Sequence, residues 1–325
     1  MHDELISVIV PAYNCAQWLP ATLDSLLGQT YPNLEIIVVD DGSKDETGAI
    51  IDHYVRLDSR IRGIHQKNGG VTSARLRGVQ EATGDWIGFA DGDDVLEPDM
   101  LQHLMDNARK FCADISHCGF SVHYPDNSLE LMHGTGILKE QDQVTGLRDL
   151  LAEELVEPSL CTKIFRKRLF CGLEEKMPRE LKNNEDMLMN FYLFEQAGTS
   201  VFEDICLYRY LIHHGSASRR KLNNHLIYDP IRVRQIILDH CESEIKDDAR
   251  RALARICLVS YRQLVMEDKT LFAEDRKKVR SLIAEQLPDM ASLSLRNKLL
   301  VRMIVQTPWI FELLYPLAAV ILGRE

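Results

Sequence analysis

Two acidic clusters each close an apolar run, Val38-Val39-Asp40-Asp41-Gly42-Ser43 and Ile87-Gly88-Phe89-Ala90-Asp91-Gly92-Asp93-Asp94. Short β-branched and aromatic runs read as buried parallel strands, and ligands of open α/β sheets bind beyond the carboxyl ends of such strands. Both clusters are therefore expected to face one crevice. Carboxylates converging there repel one another unless a hard cation or hydrogen-bond donors compensate, and an oxygen-only ligand set suits Mg2+ or Mn2+. The chemistry predicted is metal-assisted handling of a phosphorylated ligand.

The elements that must position these carboxylates alternate in type. Strands are predicted at Ile6–Val10, Leu34–Val39, Ile61–Ile64 and Trp86–Phe89, with helices near Leu19–Leu27, Asp45–Leu57 and Val71–Ala82. That alternation builds a parallel sheet with helices on its faces. Pro20 suits a first helical turn, and Asp45 reads as an N-cap ahead of Ile50, Ile51 and Tyr54. A helix is predicted over Pro98–Lys110, then a hairpin of Ile115–Tyr124 and Leu129–Met132 around Pro125-Asp126-Asn127. Beyond it the pattern is irregular, and from Ile227 onward every periodic segment reads as helix. Neither a G-x-G-x-x-G after the first strand nor a Walker A motif is present, so a nucleotide must be held another way.

A chain of 325 residues, 45% hydrophobic and 27% charged, has the composition of an ordinary globular protein. Its net charge of −11 argues against a general nucleic-acid binder. The charge is uneven: residues 230–325 hold 16 Lys and Arg against 13 Asp and Glu, leaving the excess acid in the rest. The eight cysteines form no C-x-x-C pair and are read as reduced, buried thiols, and no signal peptide precedes the first strand, so a cytoplasmic protein is expected.

The motifs SVIVPAYN, EIIVVDDGSKDET, NGGVTSARLRG and GDWIGFADGDD stand in this order over roughly residues 5–110, with weaker echoes to about residue 220. Together they resemble the family 2 glycosyltransferases of the GT-A fold, of the kind that builds bacterial polysaccharides and glycoconjugates. The resemblance implies a Rossmann-like, mostly parallel α/β sheet flanked by helices, with a C-terminal helical extension. The catalytic domain would span residues 1–225, with a nucleotide-sugar half to about residue 110 and an acceptor half at 111–225, and the helical region would span 226–325.

It also implies an inverting transfer of a sugar from a nucleotide donor, a UDP-sugar, to a hydroxyl of a glycan or lipid-linked acceptor. Asp93 is the implied direct ligand of Mn2+ or Mg2+, with Asp91 on the ribose or a metal-bound water, and Asp94 a weaker candidate. Pro11, Ala12, Tyr13, Asn14, Asp40, Asp41 and Gly92 would form the nucleotide site, with Lys67 near the base and Arg75 near the diphosphate. Asp186 at a helix start is the implied base that deprotonates the acceptor, with neighbouring Glu185 as runner-up. His214 would lie on a loop closing over the diphosphate. The chain has Leu76 where many family members carry Asn after the arginine.

Two other classes compete. A sugar-phosphate nucleotidyltransferase would carry a Gly-rich basic loop after its first strand, where this chain has Pro11-Ala12-Tyr13-Asn14. A noncatalytic nucleotide-sugar or glycan-binding module of the same fold would not need Asp91, Asp93 and Asp186 together. In residues 293–322 apolar clusters alternate with Arg302, Glu312, Pro308 and Pro316, which break up any spanning run. With Arg276, Lys277, Lys278, Arg280, Arg296 and Lys298 upstream, that tail is expected either on the cytoplasmic face of a membrane or packed on the catalytic domain or on a second copy in a homodimer.

Overall fold

The computed structural model describes residues 4–213, 221–267, 270–285 and 295–321. The chain forms two compact units, Met1–Lys221 and Leu222–Glu325. In the first, β1 (Ile6–Ala12), α1 (Leu19–Leu27), β2 (Leu34–Asp40), α2 (Thr47–Leu57), β3 (Ile61–His65), α3 (Val71–Glu81) and β4 (Trp86–Phe89) follow in sequence. Their strands pair in parallel in the spatial order β3-β2-β1-β4. Ile6, Val8, Ile9 and Val10 of β1 are all buried, because helices cover both faces of the strand. The chain direction of strand addition reverses between β1 and β4, and this opens a crevice at their carboxyl ends.

The sheet continues through β5 (Val95–Leu96), α4 (Met100–Lys110), β6 (Ile115–His123), β7 (Leu129–Leu131), β8 (Leu138–Asp142), α5 (Gln143–Ala152), β9 (Lys163–Arg166), α6 (Leu173–Lys176), α7 (Glu185–Gln196) and β10 (Thr199–Leu211). Strand β9 joins β4 to β6, antiparallel to both. The long β10 runs parallel to β6 and antiparallel to β5 and β8. The result is the expected α/β sheet flanked by helices, parallel over β1 to β4 as anticipated and mixed beyond, with the predicted hairpin present as β6 and β7. Asn127 turns it at φ 65°, a left-handed conformation that Asn tolerates.

Some expectations shift. Helix α2 begins at Thr47 with Glu46, not Asp45, in the N-cap position; Asp45 stands one residue earlier and accepts from the Thr47 amide at 3.0 Å in the turn that leads into the helix. Not all cysteines are buried: Cys112 and Cys171 are exposed and Cys206 is half-buried, while the other five are buried and all eight are free thiols. The two exposed ones sit in turns at the ends of helical segments, where no core closes over them.

The second unit is helical as predicted: α8 (Asn224–His240), α9 (Lys246–Met266), α10 (Ala273–Glu285), α11 (Leu295–Gln306) and α12 (Pro308–Ile321). Asn223 caps α8 through its side-chain oxygen, which accepts from His225 and Leu226 amides. Pro316 does not end α12. Buried Phe311 packs against Tyr261 and stacks on Tyr315 at 5.0 Å, and this packing carries the helix across the proline. Arg276 is not available to headgroups either: it is buried, and its guanidinium donates to the carbonyls of Leu264 and Glu267 at 2.8 Å. It thereby satisfies the unpaired carbonyls at the end of α9. Among the described residues no helix is long and apolar enough to cross a membrane.

Candidate functional site

The tips of β1 and β2 are stitched together by side chains. Register places Ala12 beside Asp40, and Asp40 beside His65 of β3. Asn14, in the left-handed region at φ 50°, accepts from the Lys44 amide at 2.8 Å, and its own amide donates to Ser43 Oγ at 3.0 Å. Pro11 and Ala12 close the strand behind it, and the Tyr13 ring is left 48% exposed, open to a planar ligand. Lys67 is exposed on the neighbouring loop.

Asp40 and Asp41 are both buried and already engaged. Asp40 accepts from the Ser43 amide at 2.9 Å and pairs with His65 Nδ1 at 3.0 Å. Burial opposes its charge, but these hydrogen bonds win and hold its carboxyl below the ordinary range. Asp41 accepts from Gln66 Nε2 and from the amides of Gly69 and Gly70, each at 2.8 Å. Gly42 between this loop and β2 has φ +75°, and a Cβ there would stand 2.8 Å from the Asn68 nitrogen. The close approach requires glycine.

Beyond β4 the acidic turn divides its labour. Asp94 is buried, accepting from Tyr208 Oη at 2.8 Å and from the Leu211 amide at 2.9 Å, so it anchors the turn to β10. Burial, with Asp91 and Asp93 beside it, pushes its pKa well up. Asp91 and Asp93 keep accessible side chains, 37% and 33% exposed. Asp93 Oδ2 lies 2.9 Å from His213 Nε2, and the His213 ring stacks on Trp18 at 3.8 Å. Burial and then Asp91 raise the Asp93 pKa, with His213 pulling it back. Gly92 lets the turn pass close to β1: its Cβ would stand 3.0 Å from Cys15 Sγ.

Arg75 links this turn to α7. Helix α3 lies tight on β1, where a Cβ on Gly78 would stand 2.3 Å from Ile9 Cγ2. That contact sets the buried Arg75 over the crevice, donating to Asp91 Oδ1 at 3.0 Å and Glu185 Oε1 at 3.1 Å. Asp186 Oδ2 stands 3.9 Å from the same guanidinium. Burial works against the arginine charge, but Asp91, Asp186 and Glu185 hold it firmly protonated. The left-handed Asn184 opens α7, so Glu185 and Asp186 occupy the helix's positive end. Glu185 is buried and raised in pKa by that burial and by Asp186, against the pull of Arg75. Asp186 is 31% exposed, the more accessible of the two.

Contacts with the loop of residues 157–159 hold α7 in place. Asn190 donates to the Pro158 carbonyl at 2.6 Å and to the Asp186 carbonyl at 3.0 Å. The buried Lys163 donates to the carbonyls of Glu157 and Ser159 at 2.7 and 2.6 Å, holding the same loop, and burial lowers its pKa to about 8.

The structure thus places Pro11 to Asn14, Asp40 and Asp41 at the carboxyl ends of β1 and β2 and Asp91 to Asp94 beyond that of β4, with Arg75 joining Asp91 to Glu185 and Asp186, while His214 lies outside the described residues. Sequence reasoning did not find Trp18, Tyr208 or His213 as partners of the acidic turn. The aromatic Tyr208-Arg209-Tyr210 run was the available signal. A separate open cleft of about 700 Å3 lies between the end of α3 and Arg166–Cys171. Its three cations are engaged, Arg166 on Glu4, Lys167 on the Ala82 carbonyl and Arg168 on Asp114.

Oxygen donors that a hard divalent ion could take stand at the acidic turn. Among the described residues no three His, Cys, Asp or Glu side chains form a ready-made cage. Asp91 and Asp93 supply two carboxylates, the arrangement in which Mg2+ takes its remaining ligands from phosphates and water. Burial first, and then the neighbouring Asp91, raise the Asp93 pKa, and a cation between the two carboxylates would offset both.

Residues 7–171, a little over half of the chain, match the family described as Glycosyl transferase family 2, and the chain belongs to that family. EpsJ of Bacillus subtilis, named an uncharacterized glycosyltransferase, is 34% identical over 209 residues, 63% of this chain and 60% of EpsJ. Glycosyltransferase GlyG of Streptococcus pneumoniae is 30% identical over 231 residues, 68% of this chain and 75% of GlyG. The structure of S. aureus TarS 1–349 in complex with UDP-GlcNAc superposes with a TM-score of 0.67 at 20% identity, covering 96% of this chain and 88% of that one. The architecture is the GT-A fold.

Proposed function

We propose that this protein is an inverting, metal-dependent glycosyltransferase that moves a sugar from a UDP-linked donor to a hydroxyl of a glycan or lipid-linked glycan. The observation that carries the reading is the Arg75 bridge, which sets the acidic turn of Asp91 and Asp93 and the helix start of Glu185 and Asp186 against one guanidinium. Asp186 takes the proton of the acceptor hydroxyl as its oxygen attacks the anomeric carbon from the face opposite the diphosphate. The bond from that carbon to the diphosphate oxygen breaks, and the nucleotide leaves with the bonding electrons. Asp93, with Asp91, would hold Mn2+ or Mg2+, which would supply Lewis-acid neutralisation of the charge that develops on the diphosphate. Tyr13, Asn14, Asp40 and Asp41 hold the nucleoside, with Lys67 beside the base.

Glu185 is the lesser candidate for the base because its carboxylate is already committed to Arg75. The choice of UDP is supported by TarS, solved with UDP and with UDP-GlcNAc. Incubating the protein with a panel of nucleotide sugars, Mn2+ and simple glycan acceptors, and scoring nucleotide release, tests the proposal. Metal-dependent release from at least one UDP-sugar supports it. Release from none, or release that EDTA leaves unchanged, contradicts it.

A further inference from the structure

Helices α11 and α12 each bury one face and leave the other apolar. Val301, Ile304 and Phe311 are fully buried, α11 against α10 and α12 against α9. Facing outward are Leu295 and Leu299, four residues apart on α11, and Trp309 and Leu313, four apart on α12, with Leu314 at the flank. Exposure of 75% at Leu295 and 68% at Trp309 is far more than single surface apolar residues need explaining, because here five occur on two consecutive helices.

The charges on this surface have one sign. Arg302 lies on the Leu295 and Leu299 face, one turn beyond Leu299, and Lys298 borders it. The one carboxylate of α11 and α12 within the described residues, Glu312, is turned inward: it accepts from Tyr261 Oη at 2.9 Å and lies 3.8 Å from Arg276. An apolar surface carrying leucines and a tryptophan, bordered by cations and, among the described residues of α11 and α12, without an outward carboxylate, matches the chemistry of an anionic lipid surface. It is poorly matched to itself. Two copies meeting across a two-fold axis would bring the same cations together with no carboxylate to answer them.

We infer that the outward faces of α11 and α12 dock this protein onto an anionic lipid bilayer, with the aliphatic side chains and Trp309 in the interface and Lys298 and Arg302 on the headgroups. The surface lies outside the catalytic machinery, so its failure leaves the proposed transfer reaction standing, and the reverse also holds.

The test is co-sedimentation of the full chain with phosphatidylcholine vesicles with and without phosphatidylglycerol. The expected result is binding to the anionic vesicles only, weakened by added salt. Trp309→Glu with Leu313→Glu, and separately Lys298→Glu with Arg302→Glu, should each reduce binding by about tenfold or more while far-UV circular dichroism and the melting temperature stay unchanged. Equal partition onto neutral and anionic vesicles, or no binding to either, overturns the inference without recourse to any variant. So does a dimer in sedimentation velocity that the Trp309 and Leu313 pair splits while vesicle binding is absent, which would give the face to a second copy.

Discussion

Arg75 and Glu185 lie 110 residues apart in the chain, yet Nη1 of the one donates to Oε1 of the other at 3.1 Å in a buried pair. The second arm of the same guanidinium reaches Asp91 at 3.0 Å. Helix α3, the acidic turn after β4 and the start of α7 are thus joined at one charge. A buried cation with three carboxylates near it is stable only as a set, because each partner offsets the desolvation of the others.

Replacing Arg75 alone should therefore be costly. Arg75→Met leaves Glu185 buried beside Asp186 without its counter-charge, and a loss of about 3–5 kcal/mol in unfolding free energy is expected. The double variant Arg75→Met, Glu185→Gln should recover part of it. Urea unfolding of the four proteins of this cycle checks the claim, and additive losses would show that the two side chains do not depend on each other.

Asp186→Asn keeps the shape of the helix start but cannot accept a proton. Donor affinity should stay within about twofold while turnover falls by about 10^2 to 10^4. Measuring both on one preparation decides between a base and a binding residue, since a binding residue would change affinity first.

The pH dependence of stability should show a further buried acid, Asp204 of β10, at work. Asp204 accepts from the Thr135 amide at 3.0 Å, from the Thr135 hydroxyl and from His133 Nδ1 at 2.7 Å, clamping the chain after β7. Burial raises its pKa, but these donors outweigh burial and the net shift is downward. A carboxyl with a depressed folded pKa contributes stability above its unfolded value of about 3.9, and that contribution is lost as pH falls through the lower folded value. Asp204→Asn should therefore be less stable at neutral pH and show a shallower loss of stability below about pH 4. Parallel acid-unfolding curves for the two proteins would contradict this.

Much of this was legible in the chain, and the reasons are physical. Strands β1, β2 and β4 lie under helices on both faces, so they read as unbroken apolar runs, and the carboxylates that follow them had to stand at strand ends. Strand β10 carried no such signal. Its 13 residues mix buried and half-exposed positions, and the pairing with β6 slips between Glu203 and Cys206 and again before Tyr208. No period of two survives those slips, so only the aromatic Tyr208-Arg209-Tyr210 run pointed to this segment, and it did not assign Tyr208 to Asp94 or His213 to Asp93. Arg75 was recognisable as a cation near the site. Its burial was not, because that depends on α3 lying tight on β1 at Gly78 and on α7 arriving from far along the chain.

Calorimetric binding of UDP, with and without Mn2+, bears most directly on the central claim that the crevice holds a nucleotide through a metal at Asp93. UDP should bind the unaltered protein in Mn2+, weaken by about tenfold or more in EDTA, and bind Asp186→Asn as well as the parent. In Asp93→Asn the Mn2+ dependence should vanish while the fold stays intact, since burial and Asp91 already disfavour the charge that the amide removes. Mn2+-dependent UDP binding of parental strength in Asp93→Asn would contradict the account.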